Sequence, residues 1–153
     1  MKNGGELVSR RDAVIMCGGL SASLLMPGGI KAEAPKLMLA RPIPHGHGET
    51  LPVIGVGTAH VFNVGAGPLE RTGQTEVIRA LVAGGGTVVD TAPSYGNAES
   101  VLGGILSEVA LRPRVFIATK LEEYRAGAEA AEARQSLQRL KTDKVDALQL
   151  HNV

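Results

Sequence analysis

Apolar residues along the chain recur with two different periods. Three segments place apolar residues on one face of a helix, namely residues 75–83, 98–111 and 127–140. Four short runs are mainly apolar, which is typical of buried strands: residues 52–56, 87–89, 115–118 and 145–150. Strands and helices therefore alternate after residue 52. This order predicts an α/β domain with a parallel sheet.

The same spacing predicts which helix positions face the core. In the first helix these are Val77, Ile78, Leu81 and Val82. In the third helix they are Ala130, Ala133, Leu137 and Leu140.

A hairpin is predicted before the first long strand. Residues 41–44 and 50–53 are two short extended pieces, and the polar, glycine-rich residues 45–49 separate them. His45 and His47 in this tip could bind a metal, but no third ligand lies near them in the sequence. We therefore expect turn histidines in solvent and no metal site.

The four predicted strands end at equivalent points of a repeat. Thr58, Asp90, Lys120 and His151 follow one another at intervals of 32, 30 and 31 positions, which indicates a repeated βα unit. A three-layer dinucleotide-binding sheet would need G-x-G-x-x-G after its first strand, and residues 57–62 (GTAHVF) do not match it. We therefore predict that residues 35–153 belong to a parallel barrel of the (β/α)8 TIM type, with four βα units and an N-terminal hairpin.

Residues 1–34 have the parts of an export signal. A polar start carrying Lys2 is followed by a mildly apolar stretch, residues 13–30, and then by residues 31–34 (KAEA), which give a small-x-small cleavage pattern. Glycines and a proline interrupt the apolar stretch, whereas a stable membrane span needs roughly 20 continuous apolar residues. The alternative is a buried N-terminal helix, which those glycines would weaken.

The segment around Arg10-Arg11 resembles the twin-arginine export motif. Ala13 and Val14 stand where that motif usually has a bulky aromatic residue and a leucine. The resemblance implies that the twin-arginine machinery exports the protein to the periplasm. Cleavage is expected near Ala34, although Pro35 directly after it is unfavourable for signal peptidase.

Composition excludes several classes of function. A net charge of +1 and an aromatic content of 3% offer neither a basic surface nor stacking rings for nucleic acid. Cys17 is the one cysteine of the sequence, so a disulfide framework or a thiolate metal site is not expected.

The ends of the predicted strands carry the candidate chemistry. Asp90, Lys120 and His151 each follow an apolar run, and the carboxyl ends of parallel barrel strands share one face. Neighbouring strands lie about 4.8 Å apart, so these side chains are expected within reach of one another. Tyr95 lies in the loop five residues after Asp90 and can fold back over the same rim. Each residue alone has an ordinary structural explanation, but four at one point of the repeat favour a site.

These four residue types suit the reduction of a carbonyl group. A phenol is a weak acid, and a neighbouring ammonium group favours its ionised form. A carboxylate keeps the ammonium charged and oriented, and an imidazole can hydrogen-bond the substrate oxygen. None of these groups donates hydride, so a cofactor is implied.

Four motifs then resemble the aldo-keto reductases, in the order in which that family carries them. They are residues 51–58 (LPVIGVGT), 86–103 with GTVVDTAPSYG and ESVLG, 115–120 (VFIATK) and 145–152 (VDALQLHN). The resemblance covers residues 41 to 153. The interval from Asp90 to Glu99 is one residue longer than in the best-known members, which bears on the substrate class and not on the fold.

The resemblance implies an enzyme that reduces an aldehyde or ketone with NADPH, or with NADH. Tyr95 is then expected to be the proton donor, Lys120 and Asp90 to tune it, and His151 to orient the carbonyl. Gly57, Thr58 and Asp90 are expected to border the nicotinamide.

The family has eight βα units, and this sequence stops after the fourth predicted strand. We therefore expect a fragment of a longer protein or a truncated product, which alone binds cofactor weakly. Two alternatives remain open: a non-catalytic, cofactor-binding regulatory subunit, and an inactive remnant.

Overall fold

The computed structural model describes residues 38–46, 48–122 and 127–151. The predicted export signal, its boundary after Ala34 and the tip residue His47 lie outside the described residues. The predicted hairpin is present: β1 (Ala40–Pro42) and β2 (Thr50–Pro52) pair antiparallel.

Four parallel strands form the main sheet, in the order of the sequence. They are β3 (Gly55–Gly57), β4 (Val88–Asp90), β5 (Phe116–Leu121) and β6 (Ala147–Leu150). Three α-helices connect them: α1 (Thr72–Ala83), α2 (Ala98–Glu108) and α3 (Glu129–Leu140). A short 3-10 helix, Arg112–Arg114, precedes β5. The predicted alternation and parallel pairing are thus confirmed.

The two faces of this sheet have different roles, because successive strand residues point to opposite sides. Val89 and Ile117 are fully buried against the helices. The opposite, inward face carries Val88, Asp90 and Lys120, which alternate with the buried positions. The helix-facing side therefore packs in the hydrophobic core, and the inward side carries the charged residues Asp90 and Lys120.

Helix α2 is the most deeply buried of the helices. Its apolar residues Val101, Leu102, Ile105 and Leu106 are no more than 1% exposed. Burying one such side chain contributes about 1.5–3 kcal/mol, so α2 anchors the helix layer.

A buried ion pair links α2 to α3. The Glu99 carboxylate is 1% exposed, accepts a hydrogen bond from the Thr119 hydroxyl at 2.7 Å and pairs with Arg139 Nε at 2.6 Å. A buried carboxylate needs such partners, since an unpaired charge there would be costly. Glu99 thereby ties both helices to β5.

Two predicted orientations are wrong. Val77 is 45% exposed and Ala130 is also exposed, so neither lies on the buried face of its helix. On the sheet, Val56 packs against the core cluster, because it pairs in register with Val89. In the two helices the buried stripe is narrower than the run of apolar residues.

None of the helices that the structure describes has both the length and the apolar character required to cross a bilayer.

Candidate active site

The predicted site begins with an ion pair between neighbouring strands. Asp90 is the last residue of β4, and Lys120 lies near the end of β5. Lys120 Nζ donates to Asp90 Oδ1 at 2.7 Å and to the Thr91 carbonyl oxygen at 2.9 Å. The lysine side chain is 12% exposed, whereas the aspartate is 40% exposed. The ammonium group is thus fixed by two acceptors while the carboxylate remains open to a ligand.

Tyr95 lies over this pair. Its ring centroid is 5.2 Å from Lys120 Nζ, within the range of a cation–π contact. The Tyr95 amide donates to the Ala92 carbonyl oxygen at 3.2 Å, which turns the loop back towards the rim. The ammonium group can therefore stabilise negative charge on the phenol.

His151 completes the group from the next strand. It follows β6, and its amide donates to the Leu121 carbonyl oxygen at 2.9 Å, which continues the parallel ladder. Its ring meets the Tyr95 ring edge to face, with centroids 5.9 Å apart and planes at 79°. The structure thus brings Asp90, Lys120, Tyr95 and His151 together.

The register explains why the strand residues share one face. Asp90 pairs with Gly57 on one side and with Ala118 on the other, and Lys120 pairs with Gln149. Paired residues of parallel strands project to the same side, and so do residues two apart in one strand. Asp90 and Lys120 therefore lie on the inward face, and so does His151, which is two residues after Gln149.

Glu122 is a site residue that the sequence analysis missed. Its carboxylate accepts hydrogen bonds from the Ser94 amide at 3.1 Å and from the Ser94 hydroxyl at 2.6 Å. Its Oε2 atom lies 2.7 Å from His151 Nδ1. One signal could have found it: Glu122 is two residues after Lys120, and so continues the same face of the strand.

These contacts change the acidity of Glu122. Burial opposes ionisation of the carboxyl group, but the hydrogen bonds from Ser94 and His151 outweigh it, so its pKa is below the usual value of 4.5. Glu122 is therefore an anion at neutral pH.

A comparison with known families identifies the family of the chain. Residues 53–153 match the model of the "Aldo/keto reductase family". The chain belongs to the aldo/keto reductase family. Members of that family are (β/α)8 barrels, so the four parallel strands with their helices correspond to the first half of such a barrel, and the predicted fold class is confirmed.

Several aldo/keto reductases resemble the chain in sequence or structure. Methylglyoxal reductase YeaE of Escherichia coli is 36% identical over 106 residues, which are 67% of this chain and 36% of the relative. Aldo-keto reductase YhdN of Bacillus subtilis is 34% identical over 110 residues, or 64% of this chain and 33% of the relative. An aldo-keto reductase from Klebsiella pneumoniae, solved in complex with NADPH, is 32% identical with a TM-score of 0.61, covering 74% of this chain and 40% of that one. The chain thus spans about a third of the length of the curated relatives.

The residues predicted to border the nicotinamide differ in their access to the site. A Cβ atom built on Gly57 would meet nothing within 4 Å, so open space lies on the inward face beside the paired Asp90. A flat ring fits such a position, because no side chain fills it. Thr58, by contrast, is fully buried, and its hydroxyl has no hydrogen-bond partner among the described residues. A cofactor contact by Thr58 stays a prediction.

A cleft of about 450 Å³ opens beside Tyr95. Its walls come from the loops after β3 and β4, and consist of Ala59, His60, Asn63, Ser94, Tyr95 and Gly96. Tyr95 is therefore accessible from solvent through this cleft.

No cluster of three potential metal ligands (His, Cys, Asp or Glu) occurs within residues 38–46, 48–122 and 127–151.

Proposed function

We propose that the full-length protein reduces an aldehyde or ketone to an alcohol with NADPH. The observation that carries the proposal is the arrangement around Lys120, whose ammonium group binds Asp90 at 2.7 Å and lies 5.2 Å from the Tyr95 ring centroid. Support for the cofactor comes from the related Klebsiella pneumoniae structure in complex with NADPH and from the open position at Gly57.

In the proposed reaction, the Tyr95 hydroxyl gives its proton to the carbonyl oxygen of the substrate. Lys120 stabilises the phenolate that remains, and Asp90 holds the ammonium group in place. His151, beside the Tyr95 ring, hydrogen-bonds the carbonyl oxygen and orients it. When bound, NADPH supplies the hydride for the carbonyl carbon. Gly57 and Asp90 would hold its nicotinamide end.

Methylglyoxal is the first substrate to test, because the Escherichia coli relative is named for it. We expect the full-length protein to consume NADPH on addition of methylglyoxal or of another small aldehyde. Lys120→Met should reduce turnover strongly, because it removes the charge beside the phenol. Glu76→Gln, which alters an exposed carboxylate on α1, serves as the control and should keep normal turnover. Absence of NADPH consumption with every carbonyl tested would refute the proposal.

We also propose that the protein is exported to the periplasm by the twin-arginine route, with residues 1–34 as the signal. Support comes from Arg10-Arg11 and from the apolar, glycine-interrupted stretch after it. That route carries folded proteins, so the enzyme could leave the cytoplasm with its cofactor bound. Replacing both arginines by lysine should retain the protein in the cytoplasm. An unchanged periplasmic yield after cell fractionation would exclude this route.

A further inference from the structure

Glu122 connects the two residues that are expected to contact the substrate oxygen. It holds Ser94, the residue before Tyr95, through both the amide and the hydroxyl, and it holds His151 through Nδ1. The glutamate amide is itself fixed by Glu132 Oε1 at 2.8 Å. Glu122 thus joins the end of β5 to the loop after β4 and to the end of β6.

The chemistry of this contact determines which ring nitrogen carries a proton. An ionised carboxylate only accepts hydrogen bonds, so the partner atom of His151 must donate. His151 Nδ1 is 2.7 Å from Glu122 Oε2, and therefore carries the hydrogen. A neutral imidazole has one N–H group, so Nε2 then has a lone pair and no hydrogen.

We propose that Glu122 is a positioning residue for His151. Its carboxylate accepts the hydrogen on Nδ1, so Nε2 donates to a carbonyl oxygen only when the ring carries both protons. The inference rests on the proposed function, since it concerns how His151 meets the substrate. The donor of the hydrogen bond that orients the substrate is then the His151 imidazolium. A cationic donor forms a stronger hydrogen bond than a neutral one.

Other titratable groups come from the elements around His151. Tyr95 comes from the loop after β4, Lys120 from β5, Glu122 from the residue directly after β5, and Glu132 from the first turn of α3. Asp90 is bound to Lys120. Wild-type protein and Glu122 variants share all of these groups except the changed residue, so the difference between their pH profiles reports on Glu122.

The test is the pH dependence of kcat in the full-length protein, with NADPH and methylglyoxal. From about pH 6 to about pH 9, wild-type kcat should fall at least about tenfold, because Nε2 donates only when the ring carries both protons. Glu122→Gln should fall less than about threefold, because an amide N–H can donate to Nδ1 and let the neutral ring keep its hydrogen on Nε2. Glu122→Asp keeps a carboxylate and should restore the wild-type profile. Glu76→Gln should match the wild type, and the Kd for NADPH should be the same in all.

The same pH dependence in Glu122→Gln as in the wild type would overturn the proposal, and a uniform loss of kcat at every pH would do so as well. If Glu122→Gln does not fold, NMR of isotope-labelled histidine nitrogens in the wild-type protein decides. A neutral ring protonated on Nδ1 supports the proposal, and one protonated on Nε2 overturns it. A wild-type protein that reduces no carbonyl would instead refute the proposed function, so the two failures are distinguishable.

Discussion

At the scale of the residue, Lys120 organises the site because its ammonium group contacts Asp90, the Thr91 carbonyl and the Tyr95 ring. Burial of this side chain to 12% exposure makes these contacts stronger than they would be in water. The open position at Gly57, on the same inward face, then matters as much as any side chain, because it leaves room for a planar group.

We predict that Gly57→Ala weakens NADPH binding by about tenfold to a hundredfold, because the added methyl group would occupy space that the bound nicotinamide needs. The matched control is Gly73→Ala on α1, where a Cβ atom also meets nothing within 4 Å but no ligand is expected. Calorimetric titration with NADPH measures both. Equal affinity in the two variants would show that the cofactor does not occupy this space.

The sequence was sufficient to predict that Asp90, Tyr95, Lys120 and His151 lie close together, but not that Glu122 joins them. Asp90, Lys120 and His151 follow a repeat that can be read along the chain, and Tyr95 comes five residues after Asp90, whereas the partners of Glu122 lie 28 and 29 residues away. Which long-range hydrogen bonds form depends on the register of neighbouring strands. The apolar pattern predicts which residues are buried, but it does not specify side-chain hydrogen bonds between residues far apart in the sequence.

At the scale of the element, the contact between α2 and α3 depends on a residue without a side chain. A Cβ atom on Gly103 would lie 2.4 Å from the Arg139 carbonyl oxygen and 2.7 Å from the Leu140 Cα atom. Both are backbone atoms at the end of α3 and cannot rotate away. This close approach also places Arg139 within reach of the buried Glu99.

We predict that Gly103→Ala lowers the free energy of unfolding by about 1–3 kcal/mol, as overpacking in a core typically does. Gly73→Ala should leave it unchanged or slightly raised, because alanine is the better helix former. Thermal or urea unfolding of the full-length protein compares the two. Equal stability would mean that α3 shifts without cost.

Whether a segment forms a helix or a strand was predictable, because the two have different apolar periods. Which side of a helix is exposed was less predictable. Val77 and Ala130 are apolar and lie beside the buried stripe of their helices, yet both are exposed. Hydrophobicity sets which residues can be buried. The width of the stripe that is covered depends on how closely the helix approaches the sheet.

At the scale of the whole molecule, the described sheet has two edges. β3 pairs with β4 and β6 pairs with β5, each along one side. Leu148 and Leu150 on β6 are 48% and 50% exposed, and they project to the helix-facing side, because Leu148 pairs with the buried Thr119. Exposed edges and apolar positions of this kind favour association.

We predict that a polypeptide of these 153 residues alone melts without a sharp transition or self-associates, and that it binds NADPH weakly. Replacing Leu148 and Leu150 by glutamate should reduce association, because charges oppose pairing at an exposed edge. Size-exclusion chromatography and thermal melts measure these effects. A monomer with a cooperative melt and tight NADPH binding would contradict this expectation.

The most direct measurement of the central claim, that Tyr95 donates the proton in carbonyl reduction, is single-turnover oxidation of bound NADPH by Tyr95→Phe. The full-length variant keeps the ring that packs beside Lys120 and His151 but lacks the hydroxyl. We predict a loss of about a hundredfold or more in the rate of this step. The Kd for NADPH should remain close to that of the wild type. A variant that oxidises bound NADPH at nearly the wild-type rate would contradict the account.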